Sequence, residues 1–207
     1  MIDLSARTKF PYIMIMARRL SGPPASDPFS VGRLFEENYP LVVPRWQRDY
    51  AWSADEQVKF LLEDLNDFYE DAKKEKNRYY LLGQVIFVSN EDDEFEIVDG
   101  QQRLTTLFLL LSALHNTLRQ VLNRDNMAEI NFVSSLNKCI FYNEENIKLQ
   151  SPYQDGTSVI NNLVNLKTKE LEMGTLTTSQ NNIKKVYEFI VDWIETELKE
   201  KENVQDF

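Results

Sequence analysis

The segment FEIVDGQQRLTTLFLLLSALHNTL, residues 95–118, constrains this chain more than any other. FEIV reads as a strand, Asp99-Gly100 ends it, and from Gln101 the hydrophobic period changes from about 2 to about 3.6 residues. Leu104, Leu107, Phe108, Leu111, Leu114 and Leu118 fall on one helical face, while Leu109, Leu110 and Ala113 cover much of the other. A helix this apolar over its middle turns has little face to offer solvent, so it is expected at the buried centre of the domain.

Around it the elements are long and the turns few. Six glycines and seven prolines in 207 residues are about half the usual share, so helix is expected to dominate a mixed α/β fold. Ser30 can cap a short helix through Phe35 after the loop SGPPASDP, and LVVP reads as a short strand closed by Pro44. Ser53-Ala54-Asp55-Glu56 is an S-x-x-E capping box, with Trp52 before it as a hydrophobic staple; Val58, Leu61, Leu62, Leu65 and Phe68 then keep helical spacing to Lys74. YYLLGQVIFVS, residues 79–89, is rich in β-branched and aromatic residues and reads as a strand, with Gly83 marking a bulge or a close backbone approach. The acidic NEDDE turns the chain, and FEIV returns as a second strand. Further helices are expected over residues 127–137, 157–165 and 179–200, the last with Ile183, Val186, Tyr187, Ile190, Ile194 and Leu198 on one face and a polar end that frays. These readings divide the chain into an N-terminal extension (1–28), a compact domain (29–125) and a helical region (126–207).

The scarcest residues exclude the most chemistry. One cysteine, Cys139, and one histidine, His115, cannot build structural zinc sites or an HNH nuclease. His115 lies in the apolar helix and reads as a core residue rather than the base of a triad, and Cys139 as a buried, inert thiol. No segment reaches the roughly 18 uninterrupted apolar residues of a membrane span. PYIMIMARRL is a poor signal peptide because its charges follow the apolar run, so a cytoplasmic protein is expected. The net charge of −10 repels polyanions, so contact with nucleic acid needs a local basic patch.

Two segments can form that patch. A strand that ends in glycine and opens directly into a long helix presents backbone N–H groups and the positive end of the helix dipole, which suits phosphate. In Asp99-Gly100-Gln101-Gln102-Arg103, Arg103 can add a bidentate donor, the glutamines can bond phosphate, a base or an attacking water, and Asp99 can hold Mg²⁺ or orient the arginine. The bland alternative is a D-x-x-Q capping box. The second segment, PRWQRDYAW, is non-periodic and combines Arg45, Gln47 and Arg48 with Trp46, Tyr50 and Trp52, as a phosphate- and base-contacting loop does. Its alternative is an aromatic minicore with the charges in solvent. Glu91–Glu94 read as a solvated hairpin tip rather than a metal cluster.

Taken in order, PRWQRDYAW, a helix, YYLLGQVIF and EIVDGQQRLTTL resemble the N-terminal domain of GmrSD-type modification-dependent restriction enzymes and related phage-defence proteins such as SspE, over residues 29–115. That family is similar to the ParB/sulfiredoxin fold, so the resemblance implies a small sheet with packed helices followed by a helical region. It further implies a nucleotide-binding or NTP-hydrolysing, Mg²⁺-dependent domain that senses DNA state and controls an HNH nuclease. Carried over, the family's motif residues are Asp99, Gly100, Gln101, Gln102 and Arg103, with Gln47, Arg48, Tyr50 and Trp52 from the loop. Lacking an HNH motif, the chain is expected to be a fragment or a regulatory subunit that does not cut DNA alone. Two alternatives stand beside this: a non-catalytic DNA-binding module that docks a partner nuclease, and an interaction subunit using helix 179–200.

Overall fold

The computed structural model describes residues 12–19, 26–36, 39–74, 79–89, 94–143, 146–151, 154–166 and 175–200. The two ends of PYIMIMARRL (Pro11 and Leu20), most of the loop SGPPASDP, acidic residues 91–93 and the end of the chain from residue 201 lie outside them.

The fold is helix-rich mixed α/β. In chain order the described elements are β1 (Tyr12–Arg19), β2 (Ser26–Ser30), α1 (Val31–Glu36), β3 (Leu41–Val42), a π-helical turn (Ala54–Val58) running into α2 (Lys59–Lys74), β4 (Tyr79–Ser89), β5 (Phe95–Asp99), α3 (Gln101–Val121), α4 (Met127–Ile140), β6 (Leu149–Gln150), α5 (Gln154–Val164) and α6 (Thr178–Glu200). The strands form one sheet in the order β2-β1-β4-β5-β3-β6. β4 and β5 pair antiparallel as the acidic turn implied, while β1 with β4, β3 with β5 and β3 with β6 are parallel. β1 and the first part of β2 fall in the stretch read from sequence as an extension, and β1 lies inside the sheet, hydrogen-bonded on both sides.

α3 is the buried centre. Leu104, Phe108, Leu109 and Ala113 are fully buried, each large side chain contributing about 1.5–3 kcal/mol. α3 packs against α4, α5 and α6, and one apolar cluster runs from Val31 in α1 to Ile194 in α6. The apolar face expected of α6 holds: Ile183, Val186, Tyr187, Ile190 and Ile194 are buried and Leu198 packs at the margin.

Local capping follows sequence unevenly. Ser30 accepts from the Arg33 N–H at 3.2 Å, capping α1, and Asn126 accepts from Ala128 and Glu129, capping α4. At Ser53 the side chain makes no cap bond; Gln57 Oε1 instead accepts from the Ser53 N–H at 2.9 Å. The first turn is π-helical, with Val58 N–H bonded back to Ser53 O, so the partner that reaches the cap lies one residue beyond Glu56. The start of the helix stands where the capping box placed it, but through a different residue.

Candidate functional site

The site begins with two irregularities in the sheet. Between β4 and β5 the register slips so that Val98 has no opposite residue, and a bulge of this kind turns the strand end and frees backbone groups. Gln47 takes them: its Nε2 donates to Val98 O at 2.6 Å and to Ile97 O at 3.3 Å. The next residue but one, Gly100, has φ +87° and is the N-cap of α3. A Cβ there would lie 2.8 Å from Val85 Cγ2 and 3.2 Å from Gln84 O, so both the left-handed backbone and the closeness of β4 demand glycine. Among the described residues no side chain caps α3. The D-x-x-Q capping box considered from sequence therefore does not form, because the Gln102 amide is engaged elsewhere.

That amide, with its neighbour, fastens the loop Gln47–Trp52 to the helix. Gln102 Nε2 donates to Asp49 O at 3.0 Å, and its Oε1 accepts from Ala51 N–H at 2.7 Å and Trp52 N–H at 3.3 Å. Gln101 Nε2 donates to Arg48 O at 2.9 Å. Both side chains are buried, so they hold the loop in place where a role on phosphate or water was expected of them. Tyr50 sits below them in the core. Thr106 Oγ1 donates to Gln102 O at 2.9 Å, which leaves Tyr50 to donate to Thr106 Oγ1 at 2.8 Å. Burial pushes the Tyr50 hydroxyl far above its usual range, so it stays protonated.

The second irregularity lies between β1 and β4, where Leu82 and Gly83 together oppose Ile15. Gly83 has φ +105°, and a Cβ on it would lie 3.1–3.3 Å from the Arg103 guanidinium. The close approach expected at Gly83 is thus the seat of Arg103, whose Nη1 also donates to Gln84 O at 3.1 Å.

Gln47, Arg48, Trp52 and the whole of Asp99–Arg103 line one open cleft of about 190 Å³. Two motifs separated by some fifty residues in sequence are thereby joined. Arg45 and Tyr50 are not part of its lining. The aromatics of the loop separate three ways: Tyr50 is buried, Trp52 is half-buried against the core as a staple would be, and Trp46 is 63% exposed. Among the described residues Asp99 is the only carboxylate lining the cleft, and no cluster of three potential metal ligands occurs. Mg²⁺ is commonly held by one or two carboxylates with substrate phosphates and water, and a single exposed Asp99 fits that pattern.

A family described as GmrSD restriction endonuclease, N-terminal domain, matches residues 31–207. The chain belongs to the GmrSD N-terminal domain family. No curated protein matches it. Membership ties the chain to DNA-acting restriction systems of phage defence, and the match covers both site motifs together with α4, α5 and α6.

Within this GmrSD N-terminal domain, sequence reading missed Gln84, whose carbonyl receives Arg103, and Thr106, which links Tyr50 to α3. Neither has a local signal, since one acts through its backbone and the other completes a contact made across the fold. His115 and Cys139 are buried, as expected. Burial pushes the Cys139 thiol up to about 11, with Glu36 adding to the rise and Lys148 opposing it, which makes it a poor nucleophile. Among the described residues no helix is long and apolar enough to cross a membrane.

Proposed function

We propose that this chain is the nucleotide-binding, NTP-hydrolysing sensor of its restriction system, with DNA cleavage supplied by a nuclease domain or subunit elsewhere. The observation that carries the reading is the cleft, in which the uncapped N-terminus of α3 opens at a glycine turn between Arg48 and Arg103. Helix N–H groups, the dipole and guanidinium donors together favour a phosphate chain over a neutral ligand. In a protein of net charge −10 such a concentration of positive charge is local.

Each residue then has a distinct part. Gly100 lets the backbone approach the phosphates. Arg103, steadied by Gln84 O, has other donors among its five to offset charge on the transferring phosphoryl group. Arg48 approaches from the loop, at a position set by the Gln101 and Gln102 amides. Asp99 would hold Mg²⁺, which when bound neutralises phosphate charge.

Calorimetric titration of the four NTPs with Mg²⁺ tests this. Saturable binding of at least one is expected; a folded chain that binds none ends the reading. The second reading, a DNA-binding module docking a partner nuclease, draws on Arg45 and the exposed Trp46 at the loop tip, outside the cleft. A DNA grip made by several basic contacts weakens steeply between about 50 and 200 mM salt, whereas a pocketed nucleotide is less sensitive and distinguishes bases.

A further inference from the structure

Gln101 also lines a second cavity, separate from the cleft and bounded by Val43, Asp49, Tyr50, α3, β6, α5 and the start of α6. Its side chain is 7% exposed, and Oε1 has no hydrogen-bond partner among the described residues. The orientation of the amide is set by chemistry, because Nε2 donates to Arg48 O and a flipped amide would bring two acceptors face to face. Oε1 is therefore a buried acceptor awaiting a donor. Leaving such a group unsatisfied costs about 1–3 kcal/mol, and folded proteins keep few of them.

The cavity beside Gln101 limits what could bind there. At about 190 Å³ it is smaller than the roughly 300–1,000 Å³ of sites for drug-sized ligands, so it takes a ring-sized group. Val43, Leu149, Ile160 and Ile183 offer apolar contact, while Gln101, Thr105 and Ser179 offer polar groups. Among the described residues Asp49 is the only charged one lining it, which disfavours phosphate and favours a neutral group rich in donors. We propose that this cavity receives a nucleobase, flat faces against the aliphatic side chains and its polar edge toward Gln101, Thr105 and Ser179. The base comes either from a nucleotide or from DNA in which it has been unstacked. Because Gln101 also holds Arg48, an occupied cavity steadies the loop of the cleft and couples the two sites reciprocally.

The test uses nucleosides, which carry no phosphate, titrated calorimetrically into the full chain. At least one nucleoside is expected to bind wild type and Arg103→Ala alike, with affinity at least tenfold lower in Ser179→Phe, which fills the cavity from a half-exposed position. Thr105→Val, which removes a hydroxyl at nearly constant volume, is expected to alter the preference among nucleosides; circular dichroism checks that each variant is folded. Competition by the matching triphosphate assigns the base to a nucleotide, and competition by a duplex with one unpaired base assigns it to DNA. Absence of nucleoside binding, binding lost in Arg103→Ala but kept in Ser179→Phe, or competition by neither ligand overturns the proposal. Inorganic triphosphate, titrated separately, reports on the cleft, so failure there sinks the phosphate reading without deciding this one.

Discussion

The two ends of α3 carry the same chemistry and put it to opposite uses. Gln101 and Gln102 at its start and His115 and Asn116 in its later turns are all at least nine-tenths buried. Asn116 Nδ2 donates to Leu163 O, Val164 O and Tyr187 Oη, and its Oδ1 meets His115 Nδ1. That amide is satisfied and ties α3 to α5 and α6. At the other end the amides hold a loop, one acceptor is left without a partner, and arginines stand at an open cleft. A buried amide by itself therefore says nothing of function. What distinguishes the functional end is an incomplete set of partners beside an uncapped helix start.

The largest expected effect separates the ends most sharply. Arg103→Ala should reduce NTP hydrolysis by about 10³-fold or more while the melting temperature stays nearly unchanged, since a partly exposed arginine bonded to the backbone at Gln84 O contributes little to folding. Wild-type turnover in a folded Arg103→Ala chain breaks the assignment. Asn116→Ala should do the reverse. Removing the donor to three acceptors and opening a void costs about 2–4 kcal/mol, or roughly 4–16 °C in melting temperature for a chain of this size, with nucleotide affinity of the folded fraction retained.

These contrasts show which parts of the molecule were legible in the sequence. The long apolar period of α3, the strand at residues 79–89 and the glycine turn at Gly100 were readable because each depends on near neighbours. Gly83 was readable as a place of close approach, but its partner twenty residues away was not. β1 escaped notice because a short apolar stretch next to charges resembles many things until β4 is there to pair with it. The glutamines show the remaining gap: their place in the motif was visible, but a loop fifty residues upstream decides which of their atoms are free.

Gly83→Ala sharpens the comparison from the sheet side. A left-handed alanine costs about 1–2 kcal/mol, and its Cβ would press on the guanidinium at 3.1–3.3 Å. Hydrolysis should fall further than stability alone explains, and reducing Arg103 to alanine in the same chain should add little beyond the Arg103→Ala loss. Independent, additive losses in that double-mutant cycle would show that Gly83 does not seat Arg103.

The smallest effect belongs to the satisfied end and concerns pH. Burial lowers the pKa of His115 from its usual 6.5; the nearby Arg119 charge acts in the same direction and the Asn116 bond opposes both. The unfolded chain thus binds a proton more readily than the folded one, so stability is fully present above the unfolded value of about 6.5 and declines as pH falls below it. Urea midpoints at pH 7.5 and 5.5 should show that loss in wild type and a smaller one in His115→Gln, whose side chain does not titrate in this range. Equal losses in the two chains would mean that His115 takes up its proton as readily in the fold as in the unfolded chain. Asn116 Oδ1 would then be accepting from an imidazolium, and the end of α3 read here as neutral and structural would carry a buried charge.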